Sequence, residues 1–383
     1  MTIRTTMTGS YFRTPEIEEL LKKSPTGEIS DEHREIIEKA ERRAIRDQLH
    51  PGGIERGLTW ISNGEQRKSG YTTYIPNRFS GFSKTEKIIS QIGDDFFNEL
   101  QESNPPLAQA FAGGSPFAFD KIEDKLQYTG EKLAKKEAED FVKLAKEEGA
   151  ERIFLNAPSP GILTLFYTGK GVYKDHNEFL FDLSKELAKE YRAILSVDGV
   201  DLQIDAPDIG VGSIFKDPWG FEFNDALPYH VEAINEAIAG LPQDRVRVHY
   251  CYGNYSGAHT IDPHYGNILP ELVKLKAGTL VGEMANPRHA GDPLIIRNYA
   301  REHGWPKQLN IAAGVIDVKT PFVESPEAVA LKLKSLAEID EIGPERVLGG
   351  TDCGFETFSW QDNITYQVAV KKLRSLAEGA ALV

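Results

Sequence analysis

Cysteine is scarce in this chain, with two in 383 residues, Cys251 and Cys353, set far apart. A disulfide-stapled scaffold is excluded on that count. Long apolar runs are also missing. The longest are about five residues, such as 162–166 broken only by Thr164, whereas a bilayer span needs roughly 20. The N-terminus, Met1-Thr2-Ile3-Arg4, carries no apolar signal core or small-residue cleavage site, so the cytoplasm is the expected compartment. There is no basic surplus either: 44 Lys and Arg face 58 Asp and Glu, for a net charge of −14. That balance argues against nucleic acid or an anionic membrane as a partner.

What is present is a regular alternation of strand and helix. Apolar strand patterns fall at 3–8, 58–62, 152–155, 199–204, 246–251, 279–282, 309–313 and 346–350, with a weaker one at 117–119. Helical periodicity falls at 15–23, 31–50, 131–148, 177–193, 228–239, 269–275, 294–303, 328–339 and 363–377. About eight strand–helix units without a linker or composition break predict a single α/β (β/α)8 barrel of TIM type spanning 1–383, in preference to an open doubly wound sheet. Residues 69–116 break the pattern, being rich in aromatics, Gly and Pro with one helix expected near 87–100. They read as an irregular insert after the second strand, in the manner of a lid or binding loop.

In such a barrel, working residues collect where strands end. Those positions here carry Ser10, Glu65, Asn156, Asp205, His249, Cys251, Glu283, Asp317 and Cys353. His249 and Cys251 are two apart on a strand, so imidazole and thiol share a face. Alone, each cysteine reads as a buried, inert thiol. Together with Glu283 they form a plausible ligand set for Zn²⁺ drawn from three strands, which suits a catalytic metal better than a local structural staple. A thiolate-rich zinc is a weak Lewis acid for hydrolysis and is better suited to activating a substrate thiol. His259, His264 and His289 fall in loops after these ligands, where surface or supporting roles are the simpler reading.

The segments Thr6-Met7-Thr8-Gly9-Ser10, Gly64-Glu65-Gln66-Arg67, Gln203-Ile204-Asp205-Ala206-Pro207, His249-Tyr250-Cys251-Tyr252, Gly314-Val315-Ile316-Asp317 and Asp352-Cys353-Gly354 resemble, in order, motifs of the catalytic barrel of cobalamin-independent methionine synthase. The resemblance implies methyl transfer to homocysteine or a related small thiol, and His249, Cys251, Glu283 and Cys353 as zinc ligands. It implies Ser10, Glu65 and Asp205 as holders of the amino-acid group; Arg288, suited to a sulfonated acceptor, and His289 are further candidate substrate contacts. The family's Asp-Glu-Pro motif reads Asp205-Ala206-Pro207 here, and its Asp-x-His segment reads Asp317-Val318-Lys319. Asp317 and Lys319 thus stand where that family activates its folate donor, with lysine in place of the histidine.

The stretches Cys251-Tyr252-Gly253-Asn254-Tyr255 and Ala285-Asn286-Pro287-Arg288-His289 look closer to the single-barrel branch that includes epoxyalkane:coenzyme M transferase, whose zinc-bound thiolate opens an epoxide. A metal-free lyase resembling uroporphyrinogen decarboxylase would need a cationic cradle. Arg67, Arg288 and Lys319 are few for that. A non-catalytic zinc module differs from all of these in lacking an exchangeable metal position. The expected partners are therefore a small thiol and an alkyl donor, with a homo-oligomer compatible with the sequence.

Overall fold

A computed structural model describes residues 3–24, 27–112, 118–212, 214–359 and 363–383. Ten strands are described: β1 (Arg4–Thr5), β2 (Ile61–Ser62), β3 (Phe79–Ile89), β4 (Ala118–Tyr128), β5 (Ile153–Pro158), β6 (Val200–Asp205), β7 (Val246–Tyr250), β8 (Thr279–Glu283), β9 (Asn310–Ile316) and β10 (Val347–Thr351). Eight of them form one parallel sheet in the order β1-β10-β9-β8-β7-β6-β5-β2. A parallel bridge between Thr6 and Trp60 joins its two ends, and the amide of Trp60 donates to the carbonyl of Thr5 at 3.0 Å. The result is an α/β barrel of the TIM type.

Helices follow the strands because the intervening segments carry one apolar face and a cap. Ser159, Asp175, Ser325 and Thr365 each accept, through the side chain, an amide from the first turn of the helix that follows, which satisfies donors the helix leaves orphaned. In helix Tyr366–Ala380 the buried residues Ala369, Leu373, Leu376 and Ala380 recur at three- and four-residue spacing, as an amphipathic helix on a barrel requires. Among the described residues no helix is long and apolar enough to cross a membrane.

Inside the barrel, Trp60, Phe154, Val281, Ala312 and Leu348 pack as a layer. Arg247 lies among them fully buried, its guanidinium 4.4 Å from the Trp60 ring and 4.0 Å from Phe154. Its Nη1 donates to the Thr6 hydroxyl at 2.9 Å. Burial pulls this guanidinium down to about 9. Arg152 covers Trp60 as well, at 3.8 Å. This layer forms the floor beneath the strand ends.

The insert departs from the sequence reading. The helix expected at 87–100 is a strand to Ile89 and then helix Asp94–Ser103, followed by helix Pro105–Ala112. The strand expected at 117–119 belongs to the longer β4, with Phe117 outside the described residues, and it pairs antiparallel with β3 instead of entering the barrel. Both misreadings have one cause. The two arms of this ribbon are separated by two helices, so the pairing that makes them strands is non-local.

The base of the ribbon is fixed by ionic contacts. Arg78 donates to Glu28 and Glu137 at 2.6 Å and to Glu190 at 2.8 Å, all buried. Lys68 adds a second cation 3.2 Å from Glu137. This cluster links residues 28 and 65–68 to helices Glu131–Glu147 and His176–Leu195.

Candidate active site

Alternation along β7 sends Arg247 and His249 into the barrel, and Cys251 follows on the same side. The Nδ1 atom of His249 lies 3.1 Å from the carbonyl of Val281 on β8. That contact keeps the proton on Nδ1 and turns Nε2 toward Cys353, whose Sγ is 3.8 Å away. Cys353 is held just past β10 by the Thr351 hydroxyl, which donates to its carbonyl at 2.8 Å. A ring nitrogen of His249 and the sulfurs of Cys251 and Cys353 lie within 4.8 Å of one another, all buried. Hydrogen bonding from Cys353, with His249 alongside, lowers the Cys251 thiol to about 6, while Cys353 is pushed up. Two soft sulfurs and an imidazole with a fixed tautomer form a donor set that fits zinc.

Glu283 ends β8 but is not in that group. Its Oε1 is 2.6 Å from Lys319 Nζ, and its Oε2 accepts the Tyr252 amide at 3.1 Å. Lys319 also reaches Asp352 at 3.4 Å. Burial alone would lower the Lys319 ammonium, but Glu283 and Asp352 outweigh it and raise it well above the usual lysine value. Asp352 is itself tied to the amides of Met284 and Ala285 at 3.0 and 2.9 Å.

The cavity holds two further carboxylates, of which Asp205 is the register partner of His249 on the neighbouring strand. Asp205 closes β6 and accepts from Asn156 at 2.8 Å and Gln203 at 2.7 Å. Glu65 sits in a turn at φ 55, its amide donating to the Asn63 side chain at 3.0 Å. A left-handed non-glycine residue is uncommon and is held here by its surroundings. Gly9, at φ 71, permits the arrangement, because a Cβ there would lie 2.5 Å from Glu65 Oε1 and 2.4 Å from Asn156 Nδ2. The other Glu65 oxygen has no hydrogen-bond partner among the described residues. Burial, then the facing Asp205, raises Glu65 to about 8. Such a pair is suited to an incoming cation.

Ser10 lies beside them. Its amide donates to the carbonyl of Thr8 at 3.0 Å, and the residue lines the cavity. A Cβ at position 354 would fall 1.8 Å from the Ser10 Oγ, which restricts Gly354 to glycine.

Ser10, Glu65, Asp205, His249, Cys251, Lys319 and Cys353 line a cavity of about 650 Å³, while Glu283 lies behind Lys319 outside that lining. The outer wall of the cavity is aromatic and comes partly from the insert. Glu99 of helix Asp94–Ser103 fastens that insert to the loop after β7, accepting from Tyr255, His259, Thr260 and Ile261.

Three of the expected residues lie away from the cavity. Arg288 is exposed and donates to the Thr260 carbonyl at 3.3 Å. His289 is buried between Asp262 and Asp292, 2.9 and 3.0 Å away, and stacks on Tyr252 at 3.7 Å. Asp317 caps its own loop, accepting the Lys319 amide at 2.7 Å and the Thr320 hydroxyl at 3.3 Å. Each was expected there from the motif it belongs to, and in each case a local partner takes the side chain. Tyr71 was not expected at all. It lines the cavity near both cysteines, and burial, then Cys251, pushes its phenol well above the usual value. Nothing in the irregular stretch around it distinguishes this tyrosine in the sequence.

No family model matches the chain. Over 99% of its length it is 23% identical to the methionine synthase of Sulfurisphaera tokodaii, of which it covers 92%. It is 24% identical over 99% of its length to the methionine synthase of Saccharolobus islandicus, covering 94% of that chain. Among solved structures it is similar to a B12-independent methionine synthase from Shewanella sp. W3-18-1 in complex with selenomethionine, with a TM-score of 0.69, 20% identity and coverage of 100% of this chain and 98% of that one. A putative vitamin-B12 independent methionine synthase from Listeria monocytogenes gives a TM-score of 0.62 at 21% identity, with 98% of each chain covered. The resemblance carried by the motifs therefore runs along the whole chain.

Proposed function

We propose that this chain is a zinc-dependent methyltransferase whose acceptor is homocysteine or a closely related amino-acid thiol. One observation carries the reading: the His249–Cys251–Cys353 triad opens into the same cavity as the paired carboxylates Glu65 and Asp205. A thiol donor set alone would fit many metal proteins. A thiol donor set facing a buried anionic pair fits a substrate with sulfur at one end and ammonium at the other. The likeness to methionine synthases along the full length supports the same assignment.

His249, Cys251 and Cys353 would hold the zinc, and Glu283 could join them only by giving up Lys319. Bound there, zinc would supply the acidity that lets a substrate thiol ionise at neutral pH and remain nucleophilic. Glu65 and Asp205 hold the ammonium, and Ser10 in the same lining takes the carboxylate. A sulfonated acceptor of the coenzyme M kind fits poorly, because the cavity offers it two carboxylates and one lysine already paired with Glu283.

Glu65→Gln tests the reading. A charge-assisted buried contact is worth about 1.5–3 kcal/mol, so homocysteine affinity should fall roughly 10- to 100-fold, with zinc content unchanged. The sign of the pH effect also follows. With its folded value raised to about 8, Glu65 is protonated at pH 7 and must ionise to hold an ammonium. Methionine, which has no thiol proton, should therefore release about one proton on binding metal-free protein at pH 7, and none well above pH 8. Calorimetry in buffers of different ionisation heat measures this, and Glu65→Gln should abolish it. An unchanged affinity and proton count in the variant would make Glu65 a structural carboxylate.

A further inference from the structure

We propose that the alkyl donor is a methyl onium compound, a sulfonium or quaternary ammonium, received by the aromatic outer half of the cavity. The inference rests on the reading above, in which the floor takes an amino-acid thiol, and concerns what meets that thiol from outside.

The outer wall is an aromatic belt. Phe358 lies 5.7 Å from Tyr71, Tyr71 lies 6.3 Å from Phe166, and Phe166 lies 5.0 Å from Phe215. Across from them Phe96 and Tyr255 pack edge to face at 5.0 Å. All six rings line the cavity. Ring faces attract cations, and the attraction grows when water is excluded.

Charge points the same way. Among the described lining residues, apart from the His249–Cys251–Cys353 triad, the acidic and basic side chains are Glu65, Asp205 and Lys319. The ammonium of Lys319 is already directed at Glu283 and Asp352. A folate donor carries carboxylates, and this lining offers them no unengaged cation. A cationic donor meets aromatic rings along the wall, and the acceptor's ammonium takes up Glu65 and Asp205 below it.

The leaving group supplies an independent reason. Methyl transfer from a tertiary amine, or opening of an epoxide, expels an anion that needs a proton as it departs. Two of the three Lys319 protons are directed at Glu283 and Asp352, and the Tyr71 phenol is a poor donor in these surroundings. An onium donor removes that requirement. The thiolate sulfur forms a bond to the methyl carbon, and the carbon–sulfur or carbon–nitrogen bond of the onium breaks. The electron pair leaves with a neutral thioether or amine. Thiolate and cation charges cancel, and the thiol proton has already passed to solvent.

Two measurements test this. In metal-free protein without acceptor, choline should bind at least about tenfold more tightly than its neutral carbon isostere 3,3-dimethylbutan-1-ol. The doubly substituted Phe215→Leu, Phe358→Leu protein, which keeps the apolar volume but loses two π-faces, should bring the pair to within roughly threefold. Equal binding of the two probes by the unmodified protein would show a merely apolar wall and overturn the proposal. With zinc-loaded protein and homocysteine, ¹³C-trimethylsulfonium should yield labelled methionine and dimethyl sulfide, while methyltetrahydrofolate and 1,2-epoxypropane yield little product. Robust turnover with either of those two overturns it as well. The choline comparison needs neither metal nor acceptor, so it judges the vestibule even if Glu65→Gln shows that the floor takes another thiol.

Discussion

Protein carrying Cys353→Ser, purified from zinc-supplemented medium, is expected to retain almost no metal, and Cys251→Ser the same. Both sulfurs sit within 4.8 Å of the His249 ring nitrogen, so either change removes one of two soft donors from a single shell. Complete zinc sites in small domains are worth about 10–16 kcal/mol. Loss of one thiolate should therefore weaken binding by at least about 100-fold, or roughly 3 kcal/mol. Chelator competition reads the affinity directly. Glu283→Gln is the informative contrast, because its carboxylate is held by Lys319 at 2.6 Å. Its effect should stay under roughly tenfold. If either serine variant binds zinc as the unmodified protein does, the triad is not the metal site.

The other large effect is on stability. Arg78→Met removes the cation that faces Glu28, Glu137 and Glu190 at 2.6–2.8 Å. Breaking a buried pair from one side costs about 3–5 kcal/mol, since the partner's charge stays behind uncompensated. Here three carboxylates are left with Lys68 and, less directly, Arg67, so a fall in melting temperature of roughly 4–6 °C is expected for a chain of this length. The pH dependence separates this from simple loss of packing. In the unmodified protein, burial alone would raise Glu137, but Lys68 and Arg78 outweigh it and depress it. Its contribution is then present at neutral pH and lost as pH falls through its low folded value. In Arg78→Met the orphaned carboxylates are raised instead, so the deficit should shrink as pH drops from 7 toward 5. Melting curves at both pH values check it. A variant melting within about 2 °C of the unmodified protein at pH 7 would show that the cluster adds little.

The barrel was legible in the sequence because its signals are local. Each strand from β5 onward is a short apolar run, and each following helix carries a period and usually a cap. The polar residues at strand ends stood out for the same reason: His249, Cys251, Asp205 and Cys353 interrupt apolar runs where packing alone would not place them. What stayed hidden depends on partners distant in the chain. The β3–β4 ribbon exists only through pairing across residues 90–117. Glu283 is drawn to Lys319, 36 residues away, and the sequence could not reveal that a lysine would take up the carboxylate. Arg288 and His289 looked promising beside β8, yet Thr260, Asp262 and Asp292 engage them first.

The closed floor of Trp60, Phe154 and Arg247 beneath the strand ends has a kinetic corollary. On the proposed reading, a molecule held at Glu65 and Asp205 above that floor is reached past the aromatic vestibule, which the second reactant then fills. If the acceptor is homocysteine, as proposed, it should arrive first and methionine depart last, a compulsory-order sequential scheme. Initial rates should give intersecting double-reciprocal lines. Methionine should inhibit competitively against homocysteine and non-competitively against the donor, and the demethylated donor should show no competition with homocysteine. Parallel lines would instead mean that the methyl group rests on the protein between two half-reactions, which the single shared cavity does not require.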